Sequence, residues 1–88
     1  MAVVMMGNEI REIRRILGEH GIVCHVHSDI NNVRLELEWN KHWVGGKNSG
    51  LDVAWFVIRS VVDGAVITYL NGHEDDLGNC FASVLVNC

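Results

Sequence analysis

The feature that most constrains this chain is the apolar stretch from Leu51 to Asn71, which contains the dipeptide Asp63-Gly64 near its centre. An Asp-Gly pair between β-branched segments is typical of a two-residue hairpin, because a type I′ turn needs positive φ at both central residues. The stretch therefore predicts a β-hairpin. Both faces of this hairpin would be mostly apolar, so we expect it to lie centrally and to be covered on at least one side.

The size and composition indicate one soluble globular domain. The chain has 88 residues, 49% of them hydrophobic, so residues 1–88 are predicted to fold as a single domain, with residues 1–7 either a flexible leader or a short edge strand. The net charge of −4 argues against a protein that holds duplex nucleic acid by charge alone. Three cysteines without a C-x-x-C motif predict reduced thiols in a cytoplasmic protein. Charged residues interrupt the longest apolar run, so no membrane span is predicted.

Residues 9–20 are predicted to form the first helix. Ile10, Ile13 and Leu17 recur at helical spacing, acidic residues occupy the first turn, and Gly21 follows the last turn. Glycine is the usual residue just past a helix end, because it adopts the left-handed conformation without strain. The helix would place one apolar face on a core.

A β-hairpin is predicted over residues 22–39. Residues 33–39 alternate strictly between apolar and polar side chains, which is typical of a strand with one face on the core. Residues 29–32, rich in Asp and Asn, are predicted to form the turn. This register places Val26 opposite Leu35. The side chains predicted to face solvent include His25, His27, Arg34, Glu36 and Glu38.

The remaining segments complete the predicted fold class. Residues 40–50 contain three glycines and are predicted to form the longest, glycine-hinged loop. Residues 74–86 are predicted to form a C-terminal helix, with a strand over the sequence CFASVLV as the alternative. The expected order is α-β-β-β-β-α, an α+β fold with a four-stranded, mainly antiparallel sheet and its helices packed on one face. The opposite face of the sheet would then be a recognition surface.

Two groups of residues are candidates for chemistry. His25, His27 and Glu36 converge on one strand face and match a known metal-ligand set, but exposed cross-strand His–Glu pairs are ordinary in sheets, so no metal is predicted. Cysteine and serine side chains lack a neighbouring base or a triad motif, so neither an enzyme nor a cofactor is predicted.

The predicted loop carries an informative aromatic residue, Trp43, between Lys41 and Lys47 and next to His42. Three interpretations are open for this tryptophan. It could fold back on the core as a lid, anchor a protein partner, or stack on the bases of a single-stranded nucleic acid.

The second apolar face of the predicted central hairpin indicates self-association. This face is more apolar than a monomer of this size usually exposes, so we expect a homodimer. The residues predicted to form the contact are Trp55, Val57, Val61 and Leu70.

The polar and aromatic groups left over once the core is filled favour a non-enzymatic protein-binding module. The partner-binding residues would be those exposed on the first hairpin together with Lys41, Trp43 and Lys47. The alternatives are a small RNA- or single-stranded-DNA-binding protein that uses the Trp43 loop, and a structural subunit of a homo-oligomer.

The predicted element order, the small size and the lack of catalytic signatures resemble the small inhibitors made by phages and mobile elements, including some anti-CRISPR proteins. This resemblance implies a protein that acts by binding and blocking its partner. It extends over no sequence motif, so it assigns no residue a role.

Overall fold

The computed structural model describes residues 7–28 and 32–87 and shows an α+β fold with one four-stranded antiparallel sheet, as the sequence predicted. The strands are arranged in the order β1-β2-β4-β3. The predicted element order is wrong at three places, which are described below. The elements are α1 (Gly7–Glu19), β1 (Val23–Ser28), β2 (Val33–Asn40), α2 (Lys41–Val44), α3 (Lys47–Val61), β3 (Val66–Glu74) and β4 (Asn79–Asn87).

The first helix is confirmed. α1 buries Ile13 and Leu17 against the sheet, while Arg15 on its outer side pairs with Glu12 and Glu19. Gly21, two residues past the end of the helix, has φ of 80°. This left-handed residue reverses the chain into β1, and the Ile22 amide donates a hydrogen bond back to the Leu17 carbonyl oxygen over 2.9 Å. The leader or edge strand was predicted for residues 1–7; Gly7 instead begins α1, and the rest of that segment lies outside the described residues.

The first hairpin has the predicted register. β1 and β2 pair antiparallel, with Val26 opposite Leu35 and His25 opposite Glu36. β2 alternates between buried and half-buried residues along its whole length, which follows from its alternating sequence. The predicted turn falls on residues 29–32, and 29–31 are outside the described part of the chain.

The predicted central hairpin is wrong. Residues 47–61 form the helix α3, and Asp63-Gly64 connects this helix to β3 rather than joining two strands. The apolar residues also satisfy helical spacing: Ala54, Val57 and Ile58 are buried on one side. Gly64 has φ of 76°, so the glycine is left-handed as predicted, but a left-handed glycine serves a helix end as well as a hairpin turn.

The predicted loop over residues 40–50 is also wrong, because most of it is helical. Asn40 caps the short helix α2 by accepting a hydrogen bond from the His42 amide over 3.0 Å. Gly45 and Gly46, with φ of 92° and 129°, interrupt the helical backbone between α2 and α3. These glycines were predicted to be hinges of one loop, but Gly45 and Gly46 separate two helices and Gly50 lies within α3.

The predicted C-terminal helix is corrected to a strand, in agreement with the alternative drawn from the sequence CFASVLV. β4 lies between β2 and β3, and its residues at alternate positions are buried. The Asp75 carboxylate organises the turn before it, accepting hydrogen bonds from the amides of Leu77 and Asn79, each over 2.9 Å. These hydrogen bonds fix the turn, and the antiparallel pairing of β3 with β4 makes the segment a hairpin rather than the start of a helix.

A single apolar core fills the space between the helices and one face of the sheet, as predicted. Val33, Leu35 and Leu37 from β2 face Ala54, Val57 and Ile58 from α3 across this core. In the part of the chain that the structure describes, no helix is long and apolar enough to cross a membrane.

Candidate functional site

The sheet face opposite the helices carries three rows of side chains, and we call this surface the open face. The rows follow from the register, since residues directly paired across a sheet point to the same side. All five solvent-facing residues predicted on the first hairpin belong to it. The rows are Val23–Glu38–Phe81–His73, His25–Glu36–Ser83–Asn71 and His27–Arg34–Leu85–Thr68.

A charge network occupies one part of the open face. Arg34 Nη1 donates to Glu36 Oε1 over 2.6 Å, and His27 Nε2 lies 3.4 Å from Glu36 Oε2. The hydrogen bond from Arg34, reinforced by His27, lowers the pKa of Glu36 below its usual range. The negative charge of Glu36 is therefore already balanced within the fold. The direct cross-strand neighbour of Glu36 is His25.

A shallow depression of about 430 Å³ lies in the middle of the open face. Its floor is formed by a small residue of the middle row, Ser83 on β4, which is 8% exposed. An extra residue in β3, Leu70, shifts the register just before this point. The walls are built by His25, Glu36, Glu38, Asn71, His73 and Phe81.

One wall of the depression combines aromatic rings with an unpaired carboxylate. The rings of His73 and Phe81 are stacked, with centroids 4.6 Å apart and planes inclined by 13°. Glu38 lies on the other side of Phe81, because the strand order places β2 and β3 on opposite sides of β4. Glu38 makes no ion pair with the residues that the structure describes. A carboxylate beside an aromatic ring is suited to a cationic group.

The residues predicted on the Trp43 loop are not brought together. The side chain of Trp43 is 86% exposed, so it is not a lid on the core. Lys41 Nζ pairs with Glu74 Oε1 over 2.6 Å. This ion pair raises the pKa of the lysine and balances its charge. His42 is exposed and lies near Gly78, while the side chain of Lys47 falls outside the described part of the structure.

Trp43 instead borders a groove that sequence reasoning missed. Three arginines of α1 line this groove, and its other wall is the start of the edge strand β1. Arg11 and Arg14 make no ion pair among the described residues, whereas Arg15 does. The spacing of Arg11 and Arg14, three residues apart on a helix, was the available signal. The groove residues are Arg11, Arg14, Arg15, Gly18, Gly21, Ile22, Val23, Cys24 and Trp43.

The residues predicted for self-association do not share a surface. Val57 is 2% exposed and belongs to the core, while Trp55 and Val61 are half-buried on α3. Leu70 is exposed on β3 as the extra residue of the bulge. The predicted surface is wrong because residues 47–61 form a helix. Alternate residues share a side in a strand but point to different sides of a helix.

The cysteines and histidines show no assembled reactive centre within the described residues. Cys24 and Cys80 are buried and form no disulfide with a described residue, and burial raises the pKa of the Cys24 thiol to about 11. No three or more His, Cys, Asp or Glu side chains in the described ranges 7–28 and 32–87 are grouped to hold a metal ion. His25, His27 and Glu36 therefore share a face without forming such a group.

Comparisons of the chain with models of protein families, with curated proteins and with solved structures found no significant match.

Proposed function

We propose that this protein is a protein-binding module whose open face receives a basic side chain of its partner. The observation that carries the proposal is the depression with Glu38 beside the stacked rings of Phe81 and His73. A lysine or arginine placed there would have a carboxylate on one side and an aromatic face on the other. Cation–π contacts of this kind contribute about 0.5–1 kcal/mol at exposed sites and more when water is excluded.

The charge around the depression supports a basic partner. The whole chain has a net charge of −4, and the turn next to the depression adds Asp75 and Asp76. Glu36 contributes little to this attraction because Arg34 and His27 already balance it. Complementary charge mainly increases the rate of encounter and the choice of partner, which suits a small recognition domain.

Inhibition by occlusion is part of the same proposal. The open face spans all four strands, so a partner bound on it would have its own basic site covered. This is the mode of action that the resemblance to phage and anti-CRISPR inhibitors implies. A cytoplasmic location is likewise proposed, and its support is that Cys24 and Cys80 form no disulfide with a described residue.

The proposal can be tested with a defined cationic probe. We would titrate isotope-labelled protein with a short capped peptide that carries one arginine and follow the amide resonances by NMR. The expected result is saturable shifts at Glu38, His73 and Phe81, weakened in the Glu38→Gln and Phe81→Ala variants.

Two controls make the result specific. A peptide with citrulline in place of arginine keeps the shape and removes the charge, and Asp63→Asn removes an exposed acid away from the open face. Equal shifts with citrulline, or arginine-induced shifts that map elsewhere, would contradict the proposed site.

A second candidate function is binding of single-stranded nucleic acid, and the arginine groove beside Trp43 favours it. Arg11 and Arg14 could contact phosphates while the exposed indole stacks on a base. The sequence predicted that lysines near Trp43 would contact the nucleic acid. This candidate uses Arg11 and Arg14 instead, because Lys41 is paired with Glu74.

The second candidate is tested by fluorescence anisotropy with a labelled single-stranded oligonucleotide at several salt concentrations. If both arginines contact phosphates, the slope of log affinity against log salt should fall by about 1.4 in the Arg11→Gln/Arg14→Gln variant, at about 0.7 per phosphate. Arg59→Gln is the matched control, because it removes one charge on another helix. No binding at low salt would exclude this function.

A further inference from the structure

An exposed stripe along α3 has an order of side chains that is complementary to itself. Asp52, Trp55, Phe56 and Arg59 are spaced i, i+3, i+4 and i+7, so they share the side of the helix away from its buried residues. Phe56 is 76% exposed, and the two charged residues at the ends are also exposed. The stripe therefore presents two aromatic residues between an acid and a base.

The charges of the stripe are unpaired, and its aromatic surface continues onto the sheet. Neither Asp52 nor Arg59 forms an ion pair with any residue in the described part of the chain. A depression of about 450 Å³ joins them to Trp55 and to Tyr69 on β3, which is itself exposed. Exposed aromatic residues in one contiguous patch mark an interaction surface more often than scattered ones do.

We propose that this stripe is a dimer interface and that its occupant is a second copy of the chain. In a two-fold antiparallel pairing of α3 centred between Trp55 and Phe56, Asp52 of each copy faces Arg59 of the other. Trp55 of each copy then faces Phe56 of the other. A single two-fold rotation thus gives every residue of the stripe a complementary partner, which is the requirement for an isologous interface.

The charge order distinguishes a second copy from an unrelated partner. A parallel pairing of the same helices would place like charges together, and such contacts are destabilising. A foreign helix would need a matching acid and base at the same separation, whereas a copy of this chain supplies them by symmetry. One helix face with a few neighbouring side chains is a small interface, so the dimer forms in a concentration-dependent manner.

The interface goes beyond the proposed binding of a basic partner and leaves that site free. α3 packs on the opposite side of the sheet from the open face. A dimer through α3 therefore presents two open faces on its outer sides. Such a pair would bind two sites on one target with increased avidity.

Charge reversal tests the pairing directly. The Asp52→Arg and Arg59→Asp variants each place like charges at both ends of the interface, so each should raise the dimer dissociation constant at least about tenfold. An equimolar mixture of the two variants restores both opposite-charge contacts, as does the double variant Asp52→Arg/Arg59→Asp. The measurement is solution mass by light scattering behind a sizing column at two protein concentrations.

We expect a dimer for the unmodified chain, smaller mass for each single variant, and recovery for the mixture and the double variant. A monomer at both concentrations would overturn the proposal, and so would single variants that dimerise normally or a mixture that does not recover. Circular dichroism establishes that the variants fold. Glu38→Gln should leave the mass unchanged, so failure of the dimer and failure of the open-face site give different results.

Discussion

Among single residues, Trp39 and Gly50 make a close contact in the core. The Trp39 indole is 3% exposed and lies against the backbone of α3 at Gly50, and its Nε1 has no hydrogen-bond partner among the described residues. An unsatisfied buried donor costs about 1–3 kcal/mol. Burying 150–250 Å² of a large aromatic side chain contributes about 4–6 kcal/mol at 25 cal/mol per Å². Packing therefore outweighs the lost hydrogen bond.

Gly50→Ala is expected to destabilise the fold by about 1–3 kcal/mol, the usual cost of overpacking a core. A methyl group at this position would lie 2.7 Å from Trp39 Cδ2 and would overlap other atoms of the ring. Thermal or denaturant unfolding measures the change.

Gly18→Ala is the matched control for that substitution. Gly18 lies in α1, and nothing lies within 4 Å of an added methyl group. Alanine there should stabilise the fold by about 0.5–1 kcal/mol, because glycine is a poor helix former. Equal effects of the two substitutions would contradict the described packing of Trp39.

At the scale of elements, α3 shows how one apolar run can fit two periodicities. Its β-branched residues favour a strand locally, but Ala54, Val57 and Ile58 form a continuous helical face. The core beneath the sheet needs an apolar layer, and a helix supplies it with one face while leaving Asp52 and Arg59 in solvent. A hairpin would have exposed apolar residues on one of its faces.

The turn between β3 and β4 should make stability depend on pH through Asp75. Hydrogen bonds from the Asn79 side chain and backbone, with the Leu77 amide, lower the pKa of this carboxyl. Because the folded pKa is lowered, the contribution of Asp75 is present above its unfolded pKa and is lost as the pH falls through the folded pKa. Asp75→Asn should therefore reduce stability at neutral pH and flatten the loss of stability in acid.

Unfolding by denaturant at several pH values between about 6 and 2 measures this effect, because this interval includes the ordinary pKa range of aspartate. Asp76→Asn is the control, since Asp76 is exposed in the same turn and makes no hydrogen bond within the described residues. An acid slope that is the same for the Asp75→Asn variant and the unmodified chain would show that the carboxylate does not hold the turn.

For the whole molecule, the strand order predicts a gradient of stability across the sheet. β2 and β4 are the inner strands and carry most of the buried strand residues, whereas β3 is exposed along nearly all of its length. Amides of β2 and β4 should therefore exchange with solvent most slowly, followed by those of the edge strands. Hydrogen exchange followed by NMR measures this order, and a β3 protected as strongly as β4 would contradict it.

The sequence by itself determined the features that depend on short-range patterns. Alternation in β2 determined its buried side and its register with β1, because a slip of one residue would point the side chains of Leu35 and Leu37 toward solvent. Helical spacing and the glycine at position 21 placed α1. The exposed residues of the open face on this hairpin followed from the same alternation.

Only the tertiary structure decided the identity of α3 and β4 and the composition of the sites. The segments 47–61 and 79–87 each fit a helix and a strand locally, so the choice depended on which arrangement fills the core. The pairing of β4 between β2 and β3 brought Phe81 beside Glu38 and His73. Glu38 is far from Phe81 in the chain, and no local pattern encodes their contact, because it arises from long-range strand pairing, whereas His73 and Phe81 are neighbours across the β3–β4 hairpin.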